Sequence, residues 1–264
     1  MSKTKIYIDK NLPFLELRYS FSDLSYKEHF HHDIFSIGAV IRGKREYKNR
    51  DNLYEISKND LAIVNPNVIH SCNCLQSHKS EYYMLYINKH WICDILNFKE
   101  YLDFKDELIH DDKLFNEFIN VCETIFSNRL YLEKELKLID FISKIYENYS
   151  EVKSSKIKNN TKIDSLVKFL EENVKENITL EQLSKNFNLS KFYIIKLFKK
   201  EFGISVYSFF LNLKIELAKK LLKKDLTIVE VALECGFYDQ SHFHRNFLKI
   251  TASTPKEYKD NFVQ

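Results

Sequence analysis

Histidine has the widest chemical reach of any side chain here, and nine are spread through 264 residues. The stretch "HFHHD", 29–33, sets His29 and His31 two apart, with His70 further along. On a strand such neighbours share a face, so both imidazoles could meet one ion or one ligand. A metal site of the iron or manganese type would add a carboxylate to the histidines. That carboxylate is missing: Phe35 stands four residues past His31, and Asp33 lies close in sequence. Hydrogen bonding of His31 and His70 to a small molecule is therefore favoured over metal binding, with ordinary rim or core roles left open, and no metal is assigned. A second group is "YDQSHFHRNF", 238–247, where His242 and His244 precede Arg245. On a helix two such histidines point about 200° apart and cannot share an ion. A third, "HSCNCLQSH", 70–78, has C-x-C rather than the C-x₂-C spacing of zinc sites. No glycine-rich phosphate loop, nucleophile elbow or zinc-protease motif occurs, so no catalytic residue and no cofactor are assigned.

Which reading applies depends on the elements that carry these residues. Residues 34–88 run as short alternating segments, "FSIGAVI", "REYKN", "LYEIS", "DLAIVNP" and "YYMLYIN", punctuated by Gly43, Asn49, Asn52, Asn59 and Pro66. Phe35, Ile37, Ala39 and Ile41 fall on one face of a strand, and strands in such a row suggest a sandwich or barrel. From about Asp112 the apolar spacing becomes three and four, which predicts two amphipathic helices through residue 149. The polar, aperiodic stretch 150–162 reads as a linker between a domain at 1–149 and one at 163–264.

Beyond the linker the chain is helical and repeats itself. Thr227 falls on Thr179 and Val231 on Leu183 at an offset of 48; Asp239 then falls on Ser190, Phe243 on Ile194, Arg245 on Lys196, Phe247 on Phe198 and Tyr258 on Phe209 at 49. Each copy reads as a helix-turn-helix, at about 179–200 and 227–250. Thr179 and Thr227 are N-cap candidates for the first helix, Ser190 and Asp239 for the second, and Gly203 ends the second helix of the first copy. Between the copies about 19 residues are predicted helical, a length of roughly 28 Å.

Charge supports a nucleic-acid partner for this half. The net charge is only +3, but residues 1–159 carry 23 basic against 24 acidic side chains and residues 160–264 carry 17 against 13. Lys191, Lys196, Lys199 and Lys200 crowd one helix, while Gln240, Ser241, His244 and Arg245 occupy the non-core face of its counterpart. Five scattered cysteines argue for reduced thiols, and the absence of a signal segment or long apolar run points to a cytoplasmic protein with no membrane span.

The segments "LSKNFNLSKFYIIKLFKKEFGIS" and "IVEVALECGFYDQSHFHRNFLKITASTPKEYK" together resemble the AraC/XylS family of bacterial transcription regulators. "VIRGKREYKN" and "NDLAIVNPNVIHSC" are similar, more loosely, to that family's effector-binding domain. The resemblance implies two domains, an N-terminal cupin-like β-barrel with helices and a C-terminal all-α double helix-turn-helix. It further implies that the effector contacts fall on Arg42 and Tyr86, with Met84 where a sugar-binding member is polar. The effector set is thus His31, Arg42, His70, Met84 and Tyr86, and the DNA set is Lys191, Phe192, Ile195, Lys196, Gln240, Ser241, His244 and Arg245. Double-stranded DNA, a small-molecule effector, RNA polymerase and a second copy of the chain are the expected partners. Leu130, Leu136, Ile139 and Ile142 are candidates for the dimer contact. The alternative is a cupin metalloenzyme or metal sensor with an appended helical domain.

Overall fold

Alternation of apolar and polar residues builds the first half of the chain, as seen in a computed structural model that describes residues 3–75, 79–150 and 161–260. Strands β1 (Lys3–Tyr7), β2 (Leu15–Ser22), β3 (Ile34–Arg42), β4 (Arg45–Asn49), β5 (Asn52–Ile56), β6 (Asp60–Val64), β7 (His70–Cys74) and β8 (Ser80–Asn88) come first. Helix α1 (Lys89–Leu96), the short β9 (Leu108–His110) and helices α2 (Asp112–Phe126) and α3 (Tyr131–Tyr149) follow. All pairings are antiparallel, in a six-stranded sheet of order β1-β2-β8-β3-β6-β9 and a three-stranded sheet of order β5-β4-β7. The Tyr47 hydroxyl of the small sheet donates to the Ile63 carbonyl of the large one at 2.7 Å, so the two sheets face each other.

Register gives the large sheet two unlike faces. Leu17, Leu85, Ile37 and Ile63 line up across four strands on one side, while Arg18, Met84 and Gly38 line up on the other. The apolar side forms a core with Phe118, Phe141 and Ile142 of α2 and α3, each such side chain contributing about 1.5–3 kcal/mol on burial. Three expectations change here. Strands begin before residue 34, because β2 alternates Leu15 and Leu17 with the charged Glu16 and Arg18. Ile41 leaves the face of Phe35, Ile37 and Ala39, because the register shifts between Val40 and Arg42. Ile142 is fully buried in the core and cannot reach a second chain, whereas Leu130 and Leu136 are exposed.

Contacts divide the described chain into two units, residues 3–25 with 31–150, and residues 26–30 with 161–260. The predicted linker at 150–162 falls mostly outside the described residues; Ser150 caps α3, and α4 (Thr161–Glu172) already includes its last two positions. Helices α5 (Leu180–Phe187), α6 (Lys191–Phe202), α7 (Val206–Leu222), α8 (Ile228–Glu234), α9 (Gln240–Thr251) and α10 (Pro255–Asp260) complete the second unit. Thr179 and Thr227 each close a capping box, with Gln182 and Glu230 respectively. Ser190 and Asp239 accept from the backbone N–H of Tyr193 and His242 at 3.1 and 2.6 Å. All four caps foreseen from the repeat thus act alike. Asn188, at φ 50°, ends α5, and Gly203, at φ 73°, ends α6. The connecting helix α7 has 17 residues, roughly 26 Å, shorter than foreseen because Ser205 caps it and Lys223 ends it.

Candidate nucleic-acid interface and effector site

Helical periodicity sorts α6 and α9 into equivalent faces. In α6 the buried residues are Ile194, Leu197 and Phe198, and in α9 they include Phe243, Phe247 and Ile250. Phe243 packs against Phe237 and Phe247 at 5.1 and 5.4 Å between ring centroids, and Phe247 against Tyr258 at 5.5 Å. Lys191, Phe192, Ile195 and Lys196 are left exposed on α6, and Gln240, Ser241, His244 and Arg245 on α9. At the offset of 49 these are the same four helix positions in both copies. Phe192 and Ile195 are 69% and 45% exposed, which spends apolar surface on solvent for no packing gain.

The cations on these faces differ in their surroundings. Lys196 Nζ sits 5.4 Å from the Phe192 ring centre, and Lys191 pairs with Glu181 at 3.4 Å. That acid comes from α5, which a search along α6 alone does not find. Lys199 donates to the carbonyl of Gly203 at the end of its own helix. Arg245 makes no ion pair among the described residues. The two histidines separate as a helix requires: His242 is half-buried with its ring edge-on to Phe237 at 5.5 Å, and His244 is exposed. Tyr238, 89% exposed just before α9, was not singled out from the sequence, although a large aromatic next to an N-cap was a readable signal.

In the first unit three of the five effector candidates meet. His31 and His70, both buried, lie 5.5 Å apart between ring centroids, and Tyr86 sets its ring edge-on to His31 at 5.4 Å. Met84 shares the Tyr86 face of β8, where a side chain on Gly38 would meet its sulfur at 2.9 Å; glycine there makes room for it. His70 Nδ1 lies 3.0 Å from the Val68 carbonyl, which can only accept, so Nδ1 carries the proton and Nε2 the lone pair. Burial, and then the neighbouring His31, lower the His70 pKa to about 3. The His31 and His70 donor atoms lie within 4.8 Å of each other.

Arg42 is not gathered with them. Its side chain is 69% exposed, 3.7 Å from Glu81 and over the Phe21 ring. Arg45, three residues on, is buried instead, and donates to Ser80 Oγ at 2.8 Å, to the carbonyls of Leu24 and Cys72 at 2.7 and 2.9 Å, and to the thiols of Cys72 and Cys74 at 3.2 Å each. Tyr82 covers its guanidinium at 4.5 Å. The C-x-C pair is thereby engaged as acceptors, and burial pushes the Cys72 thiol up. His78 lies outside the described residues. The alternation of Arg45, Tyr47 and Asn49 with Glu46 and Lys48 was the available clue to which arginine turns inward.

Residues 13–139 match the AraC-like ligand binding domain, and residues 183–261 match a helix-turn-helix domain. The chain belongs to the AraC family of transcription regulators. The HTH-type transcriptional regulator YbfI of Bacillus subtilis (strain 168) is 27% identical over 243 residues, which cover 90% of this chain and 88% of that one. In fold it is similar to an apo variant of ToxT from Vibrio cholerae strain SCE256, with a TM-score of 0.61 and 16% identity over 100% of this chain and 97% of that one. Wild-type ToxT from the same strain, with an unsaturated fatty acid bound, gives 0.59 and 17%, covering 98% and 94%. The AraC-family architecture, a sheet-rich ligand-binding domain and a helical DNA-binding domain, is thus shared along the chain, and the metalloenzyme alternative gains no support from these relatives. Among the described residues no helix is long and apolar enough to cross a membrane.

Proposed function

We propose that this AraC-family regulator is cytoplasmic, senses a small molecule through its N-terminal domain, and places α6 and α9 in successive major grooves of its operator. The observation that carries the reading is the pair of equivalent four-residue faces, 191, 192, 195 and 196 on α6 and 240, 241, 244 and 245 on α9, each backed by buried aromatic packing. Lys191, Lys196 and Arg245 suit phosphates or guanine edges, and Gln240 suits adenine. Phe192 and Ile195 suit thymine methyl groups, while Ser241 and His244 add hydrogen-bonding groups beside them.

The effector is taken by His31, His70, Met84 and Tyr86, a lining that pairs hydrogen-bonding rings with apolar surface. ToxT binds an unsaturated fatty acid; a ligand with a polar head and an apolar body fits the lining proposed here. Arg42 remains in that set only as a rim residue. A homodimer through α3, with Leu130, Tyr131, Leu132 and Leu136 exposed in sequence, and contact with RNA polymerase complete the proposal. Operator fragments selected from random duplexes and titrated by fluorescence anisotropy test it: binding to the selected fragment should exceed binding to scrambled duplex and weaken steeply with salt. Equal affinity for both would contradict it.

A further inference from the structure

The two helix-turn-helix copies differ in length by one residue, and the hydrogen bonds of their turns show where it sits. At the end of α5 the Asn188 N–H donates to the Lys185 carbonyl and the Leu189 N–H to the Ser184 carbonyl. At the end of α8 the Gly236 N–H donates to the Leu233 carbonyl and the Phe237 N–H to the Ala232 carbonyl, in the same steps of three and five residues. Asn188 and Gly236 both take a positive φ, 50° and 68°, and Leu189 and Phe237 follow as the apolar residues that close each turn. These pairs keep the offset of 48. Ser190 and Asp239, which cap α6 and α9, already stand at 49. The residue without a counterpart in the first copy is Tyr238.

Tyr238 adds nothing to the packing of its own domain. Its side chain is 89% exposed and makes no hydrogen bond, ion pair or ring contact among the described residues. Phe237 beside it is 5% exposed and packs on Phe243. Tyr238 stands one residue before the N-cap of α9, at the end of the helix that a helix-turn-helix directs at the base edges. Phosphates border the groove, and tyrosine suits them: its hydroxyl donates to a phosphate oxygen while its ring covers the neighbouring sugar. The cations leave this copy in need of such a contact. The α6 face carries Lys191 and Lys196, whereas Arg245 is the one fixed cation among positions 240, 241, 244 and 245 of α9. Resting on the reading of α9 as a groove-entering helix, we propose that Tyr238 anchors the second helix-turn-helix to the DNA backbone by donating its hydroxyl to a phosphate, a contact with no equivalent in the first copy. A neutral hydroxyl releases no counterion, which separates this contact from those of lysine and arginine.

The test titrates the full chain as wild type, Tyr238→Phe and Tyr238→Ala by fluorescence anisotropy, on the selected operator and on scrambled duplex, over a series of salt concentrations. Because the ring makes no internal contact, both variants fold as the wild type does. Tyr238→Phe removes only the hydroxyl and is expected to weaken binding about 5- to 10-fold, by the same factor on both duplexes and with an unchanged slope against salt. Tyr238→Ala, which also removes the ring, should lose at least as much. Wild-type affinity in Tyr238→Phe would overturn the proposal, and so would a loss confined to the operator, which marks a base contact. Equal affinity of the wild type for the two duplexes would instead overturn the groove reading of α9, and the proposal with it.

Discussion

Gly236 occupies a backbone position that only glycine tolerates. Its φ is 68°, and a Cβ there would lie 2.1 Å from the Lys175 carbonyl oxygen and 2.6 Å from Lys214 Nζ. The first of these is backbone and cannot swing away. Gly236→Ala should therefore destabilise the second unit by more than about 1 kcal/mol, read as a lower urea midpoint; an unchanged midpoint would contradict the strain. The same corner holds Lys214, whose ammonium donates to the carbonyls of Glu176 and Cys235 at 2.9 and 2.7 Å while burial lowers its pKa. Lys214→Met should cost about 1–3 kcal/mol in the same assay, because the buried Cys235 carbonyl and the part-buried Glu176 carbonyl lose their donor. At this scale the sequence was readable where a residue acts locally and opaque where tertiary packing decides. The caps Thr179, Ser190, Thr227 and Asp239 follow from type and position. Arg42 and Arg45 stand three residues apart; the alternation of Arg45, Tyr47 and Asn49 with Glu46 and Lys48 hinted at which turns inward, and the strand register settles it.

Elements carry the next set of consequences. Thr227→Ala and Thr179→Ala remove the side-chain half of two capping boxes, and each should lower stability by about 1 kcal/mol in thermal or urea unfolding. Melting points equal to wild type would contradict the capping geometry. Asp111 caps α2, accepting from the N–H groups of Lys113 and Leu114, and accepts from the Tyr149 hydroxyl at 2.6 Å. That hydroxyl above all, with the two amides, lowers the Asp111 pKa in the folded chain. A carboxyl depressed on folding contributes stability above its unfolded pKa of about 3.9 and loses it as pH falls through the lower folded value. Asp111→Asn should therefore flatten the acid limb of the stability curve below about pH 4; an acid limb identical to wild type would remove that role. The helix–strand division was legible because the apolar period changes near residue 112. Strands β1 and β2 were not, because charged residues interrupt β2 and the sheet buries both of its faces there.

Across the whole molecule, the repeat is what made function readable. A duplicated helix-turn-helix gives the same four helix positions twice over, so the proposed DNA-facing set could be named from the repeat, the charge placement and the family resemblance together. The effector set rested on a looser likeness, and it came together only in part because His31 and His70, 39 residues apart in sequence, meet through folding. The central claim is that both α6 and α9 read DNA. Its most direct test is an anisotropy titration of wild type, Lys196→Ala and Arg245→Ala on the selected operator, each repeated on fragments with one half-site scrambled. The account predicts that each substitution costs about 1–3 kcal/mol on the intact operator and much less once the half-site its own helix contacts is scrambled. Full affinity in either variant on the intact operator would contradict it.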